Sequence, residues 1–406
     1  MTPLKPATSA DVESAVRDAL AANQPLEIIG HGSKRAIGHA SRTNALLDLA
    51  ALNKVSSYEP EELVLTVQAG ASIREVQALL ETRRQEFAFE PMDTSGLLGA
   101  PADGTIGGII AAALAGPRRV KAGGVRDHLL GLHAVSGFGD SFKAGGRVVK
   151  NVTGYDLCKL IAGSFGTLAV MTDVTLKVMP KAETETTLLL ARLDPTRAGE
   201  AMTAALGSSY DVSAAAHLPV SGLRGSVAGL PRDRAMTLIR LEGIATSVAH
   251  RVATLEARLA PFGSAERLGA EASVAAWRAI RDVSPFAATG PLGQWPVWRI
   301  VCPPAAGPML GEALARKTGG DILYDWAGGL LWAALPPAAD AHAPYLRRQV
   351  EAAGGHAMLI RASEAVRSAV DVFHPQPPGL AALNTRIKAA FDPQDIFNRG
   401  RMMRDG

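Results

Sequence analysis

The sequence predicts an α+β protein made of two unequal parts. Its 406 residues, 47% of them hydrophobic, can bury more than one core. Glycine-rich turns punctuate the chain between residues 30 and 166, at strand ends and helix starts. From residue 184 onward strand-like and helix-like segments succeed one another in two similar series. The first part is expected over residues 1–181 and an antiparallel sheet with helices packed on a single face over 182–370. A C-terminal helix and tail over 371–406 are expected to pack back on the first part.

Thr8-Ser9-Ala10-Asp11 has the form of a capping box and opens a helix with Val12, Val16, Ala19 and Leu20 on one side, stopped by Pro25. Leu26 to Ile29 is a short buried strand running into the turn Gly30-His31-Gly32-Ser33-Lys34, after which ALLDL is extended. A nicotinamide-binding Rossmann unit needs a third glycine and an amphipathic helix directly after such a loop. Arg35 stands at that glycine's place and Gly38 interrupts any helix, so that fold is excluded. Leu63 to Gln68 alternates like a half-buried strand, Gly70 turns it, and Ser72-Ile73-Arg74-Glu75 is a second capping box before a helix through Val76 to Leu80.

Gly104-Thr105-Ile106-Gly107-Gly108 is the most informative stretch. Its missing Cβ atoms let backbone N–H groups approach an anion, and Ile109 to Leu114 then reads as a buried helix. A tight turn with close helix packing is the alternative reading of the same residues. Strands are expected over 131–136, 147–150 and 168–180, the last rich in β-branched residues. Beyond them, TTLLLARL, AGEAMTAAL, SAAAHLPV and AMTLIRLEG read as strand, helix, strand and strand. WPVWRIVCP, PMLGEALARK, DILYDW and GLLWAAL repeat that order before a helix through Leu346 to Ala353 and a strand over Ala357 to Ile360. NTRIKAAFDPQDIFNRGRM closes the chain as a helix, a proline stop and a tail.

Composition excludes several function classes. Lysine and arginine number 42 against 39 acids, so no charge excess argues for nucleic acid or an anionic membrane surface. Two cysteines, Cys158 and Cys302, exclude a disulfide framework and cannot supply the four thiolates of an iron–sulfur cluster, so any such cluster belongs to a partner. The nine histidines form no close ligand pair, and no metal site is expected. The N-terminal residues lack an apolar core of signal-peptide length, and the longest small-residue apolar run, 104–116, is too short to span a bilayer. The expected location is the cytoplasm, with the inner face of the plasma membrane reached only through partners.

These features together resemble the vanillyl-alcohol oxidase superfamily of flavoproteins, which bind FAD in a two-subdomain α+β domain of the p-cresol methylhydroxylase (PCMH) type and carry a separate cap domain. GHGSKRAIG is similar to the first pyrophosphate loop, LVLTVQAGASIREVQALL to the second strand–helix unit, GTIGG to the second diphosphate segment and GSFGTLAVMTDVTLKVMP to the adenine-side strand. AGPRR, VRDHLLG, VKNVTGYDLCKL, WRIVCP, YDWAGGLLW, AGGHA and FDPQDIFNRGRM narrow the resemblance, over nearly the whole chain, to the E-subunit family of bacterial glycolate oxidase.

The resemblance implies site residues by position. Gly30, His31, Gly32, Ser33 and Lys34 would line one side of the diphosphate and Gly104, Thr105, Ile106, Gly107 and Gly108 the other. Gly116, Arg126 and Asp127 would lie toward the flavin ring. Gly163, Ser164 and Gly166 would turn the backbone beside the cofactor, Val170 would offer main-chain groups to the adenine, and Asn398 would return from the tail. Some relatives attach FAD through a first-loop histidine. Ser33 and Lys34 stand where it would fall, so a noncovalent cofactor is expected, with His31 as the residue to watch.

The catalytic apparatus is less complete. The related D subunit and D-lactate dehydrogenases share an HxGDGNxH segment and a later EHG, and this chain has neither. Arg118 and Arg119 are candidates for a carboxylate or a phosphate, or else form a solvated turn; His374 is a candidate base, or else a loop histidine. Three readings stay open. One is an FAD-bearing subunit that oxidises glycolate to glyoxylate beside a D subunit and an iron–sulfur subunit, with electrons passed to a quinone-type acceptor. The others are a free-standing FAD-dependent dehydrogenase of a small 2-hydroxy acid and a non-catalytic scaffold. The aromatic group Trp295, Trp298, Tyr324, Trp326 and Trp332 is a candidate apolar docking surface for partners, or else core of the second part, the more common fate of such residues.

Overall fold

The computed structural model describes residues 3–146, 155–220 and 233–403, with 225, 227, 230 and 231 between them. Helix α1 (Ser9–Ala21) begins at Thr8, whose side chain accepts from Asp11 N while the Asp11 carboxylate takes the Thr8 N–H. This is the expected capping box, and Val12, Val16 and Ala19 follow on the buried side. Strands β1 (Leu26–Ile29) and β2 (Ala45–Asp48) pair in parallel, Leu26 opposite Ala45, so the intervening residues form a loop at the carboxyl end of β1.

A five-stranded antiparallel sheet carries the rest of this part. Its strands are β3 (Val55–Glu59), β4 (Val64–Gln68), β5 (Leu129–Ser136), β6 (Ser141–Gly145) and β7 (Ala169–Lys177), in the spatial order β3-β4-β7-β5-β6. Side chains alternate across the central strand, and that alternation sets the two faces. Ala169 and Met171 pack with Ile106, Ile109 and Ile110 of α3 (Ile106–Ala112) and with Val76 and Leu80 of α2 (Ile73–Glu81). Val170 packs the other way, with Val135, Val12 and Val16. The strand expected over 147–150 lies outside the described residues, and α3 ends before Leu114, which was read as its last turn.

The second part is a duplicated unit. The first copy runs β8 (Thr184–Ala191), α4 (Pro195–Leu206), β9 (Val212–Leu218), β10 (Met236–Gly243), α5 (Ala245–Leu259) and β11 (Ala265–Leu268). After α6 (Ala270–Arg281), the second runs β12 (Val297–Val301), α7 (Gly307–Thr318), β13 (Asp321–Asp325), β14 (Leu330–Ala334), α8 (Ala343–Ala352) and β15 (His356–Arg361). The eight strands form one sheet in the order β11-β8-β10-β9-β13-β14-β12-β15. Fourth, first, third and second strands of one copy meet second, third, first and fourth of the other, and His217 opposite Tyr324 forms the seam. The repeat expected from the sequence is thus a βαββαβ unit used twice, back to back.

Helices α4 and α5 cover one face of the first copy through Leu188, Leu190, Ile239 and Leu241, and α7 and α8 cover the same face of the second through Trp298, Ile300 and Leu331. Helix α6, in a stretch to which the sequence reading assigned no element, takes the opposite face, where Trp277 and Ile280 join Leu189, Leu238, Leu323 and Trp332. That core also holds Ile37, Met92, Leu97, Leu114 and Phe165 of the first part, so the sheet is pressed onto it. Of the two readings of the aromatic group, the structure takes core over docking surface. Trp298, Tyr324, Trp326 and Trp332 are buried, and Trp295 is half-buried against the same core. Burying each such ring stabilises the fold by several kcal/mol, roughly 25 cal/mol per Å² of apolar surface, which an exposed patch would forgo.

The chain ends on α9 (Pro378–Phe391), after which Phe397 bridges Leu26 in parallel. Leu26 N donates to Ile396 O at 2.7 Å and Asn398 N to Leu26 O at 2.9 Å, so the tail lies as a third strand beside β1.

Candidate functional site

The loop after β1 opens on a cleft with an empty volume of about 710 Å³, walled by Gly30, His31, Gly32, Ser33 and Lys34 on one side and Thr105, Gly107 and Gly108 on the other. Two glycines let the walls meet. A Cβ on Gly30 would collide with the Thr105 side chain, and one on Gly104 would lie 2.8 Å from Lys34 Nζ. Both segments singled out in the sequence therefore converge on one cavity, although neither Gly104 nor Ile106 faces it.

The first loop has the form of an anion cradle. With Gly32 at φ +74, the N–H groups of His31, Gly32, Ser33 and Lys34 donate to no backbone or side-chain acceptor among the described residues. Beside them Lys34 is buried, and its ammonium makes one long hydrogen bond, 3.3 Å to Ser33 Oγ. Burial pushes this ammonium down to about 8, partly offset by Asp93 and Asp103. A buried cation with so little coordination, next to open amides, fits a diphosphate. His31 turns its Nδ1 to Asp103 O at 3.2 Å.

The second segment works differently from the sequence expectation. Ile106 N donates to Ala71 O, Gly107 N to Ala69 O at 2.7 Å, and Gly108 N to the capping Thr105 Oγ1 at 3.2 Å. The Ile106, Gly107 and Gly108 amides are thus occupied within the fold, and Gly107 is small because its Cβ would stand 2.9 Å from Ala69 O. These three residues shape the cleft.

The remaining positions divide. Gly166 and Asn398 line the cleft, as do Phe165 and Arg401, which the sequence reading did not select. Asn398 Oδ1 accepts from Ile28 N at 2.9 Å while its Nδ2 donates to Phe165 O at 2.8 Å, tying tail, first strand and the Gly163–Gly166 turn together. Arg401 Nη2 donates to Lys34 O at 2.7 Å, holding the cradle from behind. Gly163 and Phe165 donate to Ile110 O and Ala111 O of α3, and Gly163 and Ser164 face a separate cavity bordered by His39, Thr167 and Lys388 instead of the cleft. Val170 points away, into the core with Val135, and its neighbours Ala169 and Met171 supply the wall. Arg126 and Asp127 are exposed and line neither cavity; Asp127 accepts from Gly124 N at 2.8 Å. Gly116 is buried against Glu90, and its carbonyl accepts from Trp326 Nε1 at 3.0 Å.

Two catalytic candidates are corrected. Arg118 is held by Glu86 and Glu242, each at 2.7 Å, with Glu90 at 3.7 Å, so it has no free fork for a substrate carboxylate. These acids, with Arg240 bonded to Glu90 at 2.8 Å, form a buried ionic network that fastens the eight-stranded sheet to the first part. Burial alone would raise Glu90, but Arg240 and Arg118 outweigh it and bring it to about 2. His374 Nδ1 is the acceptor for Arg347 Nη1 at 3.2 Å and Ala357 N at 3.3 Å, which leaves the ring proton on Nε2 and no free base. Arg119 remains available: its guanidinium lies 4.6 Å from the Trp326 ring centre and is exposed.

Comparison with known proteins agrees with this geometry. Residues 4–145 match the FAD binding domain family. Glycolate oxidase subunit GlcE of Escherichia coli (strain K12) is 32% identical over 390 residues, 95% of each chain. Glycolate oxidase subunit GlcD of Bacillus subtilis (strain 168) is 37% identical over 138 residues, 34% of this chain and 28% of that one. Among solved structures, substrate-bound p-cresol methylhydroxylase superposes with a TM-score of 0.73 at 15% identity, over 99% of this chain and 88% of that one, a likeness of fold.

Proposed function

Because this chain belongs to the glycolate oxidase E-subunit family of FAD-binding flavoproteins, we propose that it is the E subunit of a glycolate oxidase complex. Bound FAD supplies a two-electron acceptor for oxidation of glycolate to glyoxylate. In the complex the chain works beside a D subunit and an iron–sulfur subunit that takes the electrons toward a quinone-type acceptor. Its own two cysteines, both buried and free, form no cluster.

The observation that carries the cofactor assignment is the cradle of open amides at His31 to Lys34 with the under-coordinated Lys34 ammonium. These groups hold the diphosphate, Gly108 and Thr105 bound it, and Asn398 and Arg401 fix the cradle's shape. FAD is held noncovalently, with residues 1–181 as its domain, 182–370 as the cap and 371–406 as the tail that closes it. No helix among the described residues is long and apolar enough to cross a membrane. The protein acts in the cytoplasm, at the inner face of the membrane through its partners.

The test is purification of the chain alone and with its D and iron–sulfur partners. Acid precipitation should release all of the flavin, and only the assembly should reduce a dye with glycolate at full rate. Flavin left on the precipitated polypeptide would refute noncovalent binding. A lone, FAD-loaded chain as fast as the assembly would refute the subunit assignment.

A further inference from the structure

Another cavity adjoins the cofactor cleft, an open chamber with an empty volume of about 1390 Å³ lined in part by Arg299, Glu351, His356, Met358, Phe373 and His374. Phe165 is a wall of both. Strand register explains how its polar groups meet. Arg299 on β12 is opposite Met358 on β15, and His356, opposite Val301, lies two residues before Met358 and so on the same face of the sheet.

Arg299 forms no salt bridge among the described residues. Its guanidinium lies 5.1 Å from the Trp326 ring centre, and Arg119 lies 4.6 Å from the same ring, so two cations lean on one indole. The Arg299 side chain makes no hydrogen bond among the described residues, and its Nε is buried without an acceptor. Asp325, whose charge favours the Arg299 cation, gives its oxygen to Trp326 N at 2.7 Å instead. Burial first, then Arg119, brings Arg299 down to about 10. Burial likewise lowers His356, as do Arg299, His374 and Arg119, so its imidazole is neutral at pH 7. A guanidinium whose Nε is buried without an acceptor is stabilised by an anion, and the carboxylate in the chamber lining, Glu351, is exposed and lies 3.9 Å from His374 Nε2 instead.

We infer that Arg299 is the carboxylate anchor of a small 2-hydroxy acid, with His356 beside it to take the hydrogen bond of the substrate's hydroxyl. This rests on the function proposed above and assigns its substrate site to the cap sheet. The planar guanidinium meets a carboxylate with two parallel hydrogen bonds, and the neutral ring next to it has a nitrogen to accept from the neighbouring hydroxyl. A phosphate would call for another cation at the position of His356.

The probe is oxalate, a two-carbon carboxylate that is not oxidised, titrated into the FAD-loaded chain by calorimetry and by the flavin difference spectrum. Arg299→Met should weaken oxalate by at least about tenfold with FAD content unchanged, and Arg299→Lys should recover part of the loss. Oxalate bound equally well by Arg299→Met would overturn the site, and loss of FAD in both variants would assign Arg299 to the cofactor instead. In the assembled complex the two claims separate. Arg299-dependent oxalate binding without glycolate oxidation would keep the site and remove glycolate as substrate. Glycolate oxidation with an unchanged KM in Arg299→Met would keep the function and remove the site.

Discussion

Asn398 and Ile28 stand 370 positions apart and are joined by a 2.9 Å hydrogen bond from the Ile28 N–H to the Asn398 side-chain oxygen. The same asparagine has φ +43, a conformation it tolerates better than most residues. Asn398→Ala removes the acceptor, orphans a backbone donor and keeps the backbone strain. A loss of about 2–3 kcal/mol is expected, with the tail becoming the first site of proteolysis. Denaturant titration with mapped cleavage tests this, and an unchanged midpoint would refute it.

Lys34 predicts a proton-linked cofactor. Its ammonium is lowered to about 8 in the empty cleft, and a diphosphate beside it favours the charged form and raises it again. Below pH 8 the charge is already present, so FAD should bind with no proton change. Above pH 8 binding should take up about one proton and weaken by roughly tenfold per pH unit until the bound-state value is reached. Calorimetry in two buffers of different ionisation enthalpy measures the uptake. Lys34→Met should abolish it, and uptake surviving in that variant would point to another group.

Neighbouring glycines should behave differently. Gly107→Ala pushes a methyl to 2.9 Å from Ala69 O and is expected to lower stability by about 1–3 kcal/mol whether or not FAD is present. Gly108 meets Thr105 Oγ1 alone, at 3.3 Å, so Gly108→Asp should fold and yet lose most of its FAD, because the new carboxylate enters the cleft. Flavin absorbance set beside thermal melting distinguishes the two effects; full occupancy in Gly108→Asp would contradict the placement of the diphosphate.

Much of this was legible in the chain itself. The capping box at Thr8, the strand–loop at Leu26 to Lys34 and the duplicated strand–helix series are local patterns, and local patterns survive folding. The destination of the GTIGG amides was not legible. Whether Gly107 N–H meets a ligand or Ala69 O depends on a contact across the fold, and the residue types are the same in both cases. Arg299 and His356 were missed because strand register brings them together, although a lone arginine in the apolar strand VWRIV was a usable signal. The aromatic group stayed open between core and docking surface for a related reason: its residue types say that they seek apolar surroundings, not whether those belong to the core or to a partner.

Glu90 gives an acid limit. Its folded-state value of about 2 is below the ordinary 4.5, so its stabilisation is complete above pH 4.5 and is lost as pH falls toward 2. The two-and-a-half-unit depression corresponds to on the order of 3 kcal/mol, carried by the bonds to Arg240 and Arg118. Glu90→Gln should therefore be less stable at pH 7, with a flatter loss between pH 4.5 and 2 than the wild type shows. Parallel acid-unfolding curves for the two proteins would mean that other carboxylates govern the transition.

The place of the tail beside the first strand also sets a schedule for making the protein. Two walls of the cofactor cleft, Asn398 and Arg401, are added some 370 residues after the strand they complete, Leu26 to Ile29. At about 5–20 residues per second the early loop waits tens of seconds with its cradle unbraced. Cofactor loading accordingly follows the emergence of the residues around Asn398, and a ribosome-bound nascent polypeptide stalled before residue 396 should hold no flavin however much is supplied.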